Sequence, residues 1–322
     1  MTSPSTTPET PAITLRGLTK NFGKTKVLRG LDVEIQPGTI VGLFGRNGVG
    51  KTTLMSILSN QERPTSGEAL IFGEPVWENP EALSQICFTR ENQKYPDESA
   101  LKHVLRAAAN FYPNWDNELA DHIKGRFRLP EGTQIKKYSR GQLSALGILI
   151  GLASRAPVTF LDEPYLGLDP TARDMFYDLL IEDVGESPRT IVFSTHLIDE
   201  AANLFERVIV LDEGEIVLDM RVEEATESAY NIAGPALAVD ELTRGLKVLK
   251  VRMLGGLKSA TVSGQVTADL AEAASAARLE ISPVSLQDLV SALGHREDTS
   301  SLEPRGNSTD SNPNRQVKEL SR

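Results

Sequence analysis

The sequence predicts an α/β fold. An apolar run, a glycine-rich loop and a helical pattern follow one another over residues 39–58. A second apolar run, 158–161, ends in the paired carboxylates Asp162 and Glu163, and a third, 190–194, ends at Thr195 and His196. Short apolar runs set between longer helical patterns read as buried strands alternating with helices, and open α/β sheets bind ligands where their strands end.

The 322 residues carry a net charge of −10 and a single cysteine, Cys87. Such a length suits one large domain or two. One cysteine excludes an internal disulfide framework, and without Cys or His neighbours Cys87 reads as a buried structural thiol. The acidic balance argues against broad nucleic-acid binding, so no nucleic-acid partner is expected. Residues 1–11, rich in Ser, Thr and Pro, read as a disordered lead without the basic-then-apolar pattern of a signal peptide. The longest apolar stretch, 145–153, falls far short of the ~20 residues that cross a bilayer. A soluble, cytoplasmic protein is expected.

Strands are predicted at 13–15 and 31–35, with Asn21-Phe22-Gly23 between them. Phe22 suits either stacking on a base or packing beneath a turn. After a Pro37-Gly38 turn comes Gly45-Arg46-Asn47-Gly48-Val49-Gly50-Lys51-Thr52-Thr53, with the spacing of a phosphate-binding loop. Glycines let backbone N–H groups turn inward around an anion, and the helix start adds partial positive charge. Lys51 is suited to β- and γ-phosphates, and the Thr52 hydroxyl to Mg²⁺.

Residues 80–152 are richer in helical pattern: helices are expected at 98–110 and 116–127, with Phe111 and Trp115 in the core. At Tyr138-Ser139-Arg140-Gly141-Gln142, Ser139 reads either as a plain N-cap for the apolar helix at 143–153 or as part of a second anion site at that helix start, and the string alone does not decide between them. Asp162, at a strand end, suits Mg²⁺, and Glu163 suits orienting or deprotonating a water. Asp169-Pro170 reads as N-cap and first residue of a helix at 171–184. His196 is placed to reach a phosphate, although a lone histidine is commonly structural. Runs at 208–211 and 215–218 read as a hairpin with a longer loop.

Together these strings resemble the ATP-binding subunits of ABC transporters, in order, from about residue 13 to 218. The resemblance implies a P-loop ABC-type ATPase: a central mixed sheet, an antiparallel β-subdomain and a helical subdomain at about 80–152, all within 12–220. It makes Phe22 the base-stacking aromatic, Gly45 to Thr53 the Walker A loop, and Ser139, Gly141 and Gln142 the surviving part of a signature in which Tyr138 and Arg140 replace Leu and Gly. Asp162 closes Walker B, Glu163 is the catalytic carboxylate, Asp169 belongs to the D-loop and His196 is the switch histidine. Glu91 falls where a metal-side glutamine is usual, with Gln93 two residues later.

ATP and Mg²⁺ are the implied cofactors. The implied partners are a second ATPase subunit, paired head to tail, and a transmembrane permease on a separate chain, which would hold the protein at the inner face of the membrane. Phe111-Tyr112-Pro113-Asn114-Trp115-Asp116 and Ile281-Ser282-Pro283-Val284-Ser285-Leu286 are similar to drug-export-type subunits. The alternative is a soluble non-transport ABC ATPase or a regulatory nucleotide-binding subunit. Against it, tandem ATPase domains and long coiled coils are both missing from the sequence. Residues 221–295, with strands at 246–253 and 259–262 and helices at 268–277 and 285–293, are expected to form a small α/β accessory domain. A disordered tail is expected over 296–322.

Overall fold

The computed structural model describes residues 10–90 and 93–294; most of the expected lead, the expected tail and Glu91 lie outside them. Strand β1 (Ile13–Phe22) turns through Gly23 and Lys24 into β2 (Thr25–Ile35). Both strands run longer than expected. Thr25, Lys26 and Arg29 of β2 are exposed, so ladder pairing, not apolar alternation, carries the hairpin there. The apolar β3 (Ile40–Phe44) leads through the glycine loop into α1 (Lys51–Leu58). β4 (Ser66–Ile71) pairs with β1, and the short β5 (Glu74–Pro75) closes a four-stranded sheet of order β2-β1-β4-β5.

Asn79, with Pro80 behind it, caps the single turn α2 (Pro80–Leu83) before β6 (Ile86–Thr89). Helices α3 (Leu101–Phe111), α4 (Asn117–Arg126) and α5 (Arg140–Ala153) follow. Then come β7 (Val158–Asp162), α6 (Pro170–Glu186), β8 (Thr190–Ser194), the short α7 (Ile198–Ala201), β9 (Arg207–Asp212) and β10 (Glu215–Arg221). The central sheet has the order β10-β9-β3-β8-β7-β6, parallel except for β10. The β9–β10 connection is a two-residue turn, not the longer loop expected: Glu213 and Gly214 both take positive φ, the geometry that matches strand twist.

Alternate residues of each central strand feed opposite cores, which is why the strands read as unbroken apolar runs. Ile40, Phe44, Ile191 and Phe193 face α5 and α6; Val41, Leu43, Phe160 and Val192 face α1 and the antiparallel sheet. Phe111 corrects the expectation of a core aromatic, being 77% exposed. Where α3 ends, Tyr112 turns inward to receive a hydrogen bond from the buried Cys87 thiol at 3.3 Å and leaves Phe111 on the rim. Trp115 is partly buried against the first core.

Beyond residue 221 the chain adds α8 (Val222–Glu227), β11 (Ala229–Pro235), α9 (Ala236–Leu242), β12 (Val248–Leu254), β13 (Leu257–Ser263), α10 (Ala268–Ala276), β14 (Glu280–Pro283) and α11 (Leu286–Leu293). An antiparallel sheet, β12-β13-β11-β14, forms with a small core of its own around Ile232 and Val262. The last helix returns to the first core, where Leu286, Leu289 and Val290 are buried. Its Gln287 N–H donates to Asp199 at 3.3 Å.

One buried ionic cluster ties the helical part to the sheet. Asp183, with no side-chain exposure, receives bonds from Arg155 and Arg189; Arg155 also reaches Asp116, the α4 cap, at 3.0 Å. Burial pushes the Asp183 carboxyl up, and the two guanidiniums oppose it. Asp183→Ala would leave the buried Arg189 guanidinium without its carboxylate, while Arg155 keeps Asp116, and is expected to cost about 3–5 kcal/mol of unfolding free energy, read as a fall in denaturant midpoint.

Candidate active site

The glycine loop owes its shape to positive φ at Gly45 (140°), Gly48 (81°) and Gly50 (115°). A Cβ on Gly45 would sit 2.2 Å from the Leu211 carbonyl oxygen, and one on Gly50 would sit 2.7 Å from Leu28 Cδ2. Gly50 is the N-cap of α1 with no side-chain cap, and the first turn carries no acid. The partial positive charge of that helix start is therefore not neutralised by its own side chains.

Lys51 is buried, its Nζ donating to the Gly45 carbonyl at 2.7 Å and to that of Arg46 at 3.3 Å. Burial pulls its pKa down; the Glu163 and Asp162 carboxylates push it back up. Thr52 Oγ1 donates to Asp162 Oδ2 at 2.6 Å, and Ser194 Oγ donates to Oδ1 at 2.6 Å. Two hard oxygen donors thus meet at one point beside the loop, the chemistry that suits Mg²⁺. Among the described residues, no group of three or more His, Cys, Asp or Glu side chains could hold a metal by itself.

Glu163 follows β7 at φ 50°, a left-handed conformation costly for a residue with a side chain. Its N–H donates to Ser194, and its Oε2 lies 2.8 Å from His196 Nδ1. A cavity of about 300 Å³ brings together Asn47, Gly48, Lys51, Thr52, Asp162 and Glu163, with Gly50 and Thr53.

The other predicted residues do not line that cavity. Ser139 caps α5 in a closed exchange: its Oγ accepts from Gln142 N–H at 3.2 Å, while Gln142 Oε1 accepts from Ser139 N–H at 2.9 Å. Gly141 approaches the carbonyl of Gly167 so closely that a Cβ would lie at 2.5 Å, which seats the α5 start on the loop before Asp169. Asp169 caps α6, accepting from Ala172 N–H at 2.8 Å. Phe22 is half exposed at the end of β1, with Lys20 Nζ 4.6 Å from its ring centroid, so it does not pack beneath a turn. Gln93 lines a separate groove of about 320 Å³ with Phe88, Tyr95, His103 and Phe111.

The sequence assigns no role to Ser194, Thr195 or Tyr165. Polar residues closing an apolar run were the available signal for the first two; nothing marked Tyr165.

The family profile described as ABC transporter matches residues 28–166. The chain is 31% identical over 225 residues to an ABC transporter ATP-binding protein of Bacillus subtilis, YdbJ, covering 68% of this chain and 73% of the relative. It is 31% identical to the daunorubicin resistance ATP-binding protein DrrA3 of Streptomyces coeruleorubidus, over 66% and 69% of the two chains. It is 34% identical to the aliphatic sulfonates import ATP-binding protein SsuB 1 of Rhizobium johnstonii, over 66% and 77%. Among solved structures, cbiO1 from Clostridium perfringens, part of the transporter complex cbiONQ, matches at a TM-score of 0.55 and 26% identity. That match covers 67% of this chain and 90% of cbiO1.

Gly45→Ala combines a positive φ with the Leu211 clash and is expected to cost at least about 1–3 kcal/mol, measured as a lower melting temperature with nucleotide affinity lost. Gly48→Ala, with nothing within 4 Å of its Cβ, is expected to cost less.

Proposed function

The chain belongs to the ABC transporter ATP-binding proteins, and from that premise we propose that it hydrolyses ATP to energise a permease carried on a separate chain. Its described residues include no helix long and apolar enough to cross a membrane. The observation that carries the proposal is the convergence, around one cavity, of the glycine loop, Lys51, Thr52, Asp162 and Glu163.

In this reading the loop N–H groups and Lys51 hold the phosphates, and Thr52 with Asp162 holds Mg²⁺. The metal, when bound, neutralises charge on the transferred phosphoryl group. Glu163 takes a proton from the attacking water, and His196, hydrogen-bonded to it, steadies the γ-phosphate. Ser139, Gly141, Gln142 and Asp169 do not line the cavity, and Gly141 packs on the Gly167 carbonyl just before Asp169, which supports a second subunit offering these residues to this chain's ATP. The division into a cassette at 12–220 and an accessory domain at 221–295 belongs to the same proposal.

The permease contact falls on the helical part. The exposed Phe111 beside the 320 Å³ groove supports that placement. Export is the proposed direction, on the likeness of residues 111–116 and 281–286 to drug-export-type subunits. The site of action is the cytoplasmic face of the membrane.

ATP hydrolysis by the full chain, compared with Glu163→Gln and with sizing in ATP and Mg²⁺, tests this reading. The variant is expected to lose about 10²–10⁴-fold in kcat, to keep ATP binding and to elute as a dimer. A wild-type chain that binds ATP without turning it over would sink the proposal.

A further inference from the structure

The hydrolytic site contains one buried hydroxyl to which no role has been given. Tyr165, 2% exposed, lies in the loop between Glu163 and Asp169, its ring edge-on to Phe193 at 6.1 Å and to His196 at 5.7 Å. Its Oη lies 2.6 Å from Glu163 Oε2, 2.5 Å from Thr195 Oγ1, 3.0 Å from the His196 backbone nitrogen and 3.4 Å from His196 Nδ1.

The hydroxyl protons of this cluster follow from its acceptors. A phenol has one proton and accepts at its lone pairs. Glu163, as a carboxylate, only accepts, so the Tyr165 proton goes to Oε2. Oη then accepts from the His196 N–H and from Thr195. The Thr195 oxygen in turn accepts from the Leu197 N–H at 2.9 Å. Burial, with the Glu163 charge next to it, pushes the Tyr165 phenol far above its usual value, so it stays a donor.

We propose that Tyr165 is the positioning residue of the hydrolytic site, its hydroxyl fixing the Glu163 carboxylate and the His196 backbone in a single arrangement. The inference rests on the ATPase reading above. Tyr165 and His196 both bind Oε2, and among the described residues Oε1 accepts no hydrogen bond, which leaves that oxygen to take the proton of a water. The Tyr165 hydroxyl, together with His196, is the anchor that holds Oε2. Phenylalanine keeps the ring packing and deletes only the anchor.

The test is steady-state ATP hydrolysis by the full chain as wild type, Tyr165→Phe, Thr195→Val, His196→Ala and Tyr165→Phe/His196→Ala. Deleting one hydrogen bond to a charged group is expected to lower kcat roughly tenfold, with the KM for ATP within about twofold of wild type. Thr195→Val, which loosens the hydroxyl and also removes the acceptor of the Leu197 N–H, is expected to give a smaller loss of the same kind, and it serves should Tyr165→Phe fail to fold. Because Tyr165 acts through the Glu163–His196 pair, the double variant is expected to lose less than the product of the single losses. Full multiplication of the losses, or a folded Tyr165→Phe protein with wild-type kcat, would overturn the proposal. A wild type that hydrolyses ATP, is silenced by Glu163→Gln and is unmoved by Tyr165→Phe sinks this inference alone. A wild type without hydrolysis sinks the ATPase reading and this inference together.

Discussion

The Asp162 carboxylate is the tie on which the site depends. It is 5% exposed, and such a group must be satisfied or it destabilises the fold. One oxygen takes the Thr52 hydroxyl and the other the Ser194 hydroxyl. Three segments distant in sequence, the α1 start and the ends of β7 and β8, are thereby held at one point. Sheet register makes this possible: Asp162 pairs directly with Ser194, and β3, which launches the loop, pairs with β8 on its other side. A one-residue slip of β7 would turn Asp162 into the opposite core.

Charge balance in the site follows from that tie. Lys51 is nearly out of solvent and, among the described residues, has no carboxylate in direct contact; backbone carbonyls solvate it, while Asp162 and Glu163 act on it through space. A polyphosphate offers such a lysine what carbonyls cannot, a full negative charge in a region of low dielectric. The uncapped helix start has the same preference. By contrast, the start of α5 satisfies itself through Ser139 and Gln142, so any anion there must compete with an existing exchange.

What the sequence disclosed follows the strength of local signals. The glycine loop, the apolar runs of β3, β7 and β8 and the Asp169-Pro170 helix start were all legible, because each rests on a short-range rule about turns, burial or capping. The half-solvated hairpin β1–β2 was foreshortened, since its outer residues obey no apolar period. The β9–β10 turn was read as longer because Glu213 adopts a left-handed φ that glutamate seldom takes. Strands β11 and β14 were missed: Ala-Tyr-Asn-Ile-Ala-Gly-Pro and Glu-Ile-Ser-Pro carry little strand propensity and depend on pairing with distant neighbours. Tyr165 is invisible for a related reason: two of its partners, Thr195 and His196, lie about thirty residues away. Glu91 falls outside the described residues.

The return of α11 to the first core bears on how the chain is made. Leu286, Leu289 and Val290 share a cluster with Ile40 and Phe44 of β3. During synthesis the amino-terminal elements leave the ribosome long before the segment that completes their packing. The nucleotide-binding half must therefore wait, with apolar surface uncovered, until Leu286–Leu293 has been translated, a long interval in which to meet a chaperone or a neighbouring nascent chain.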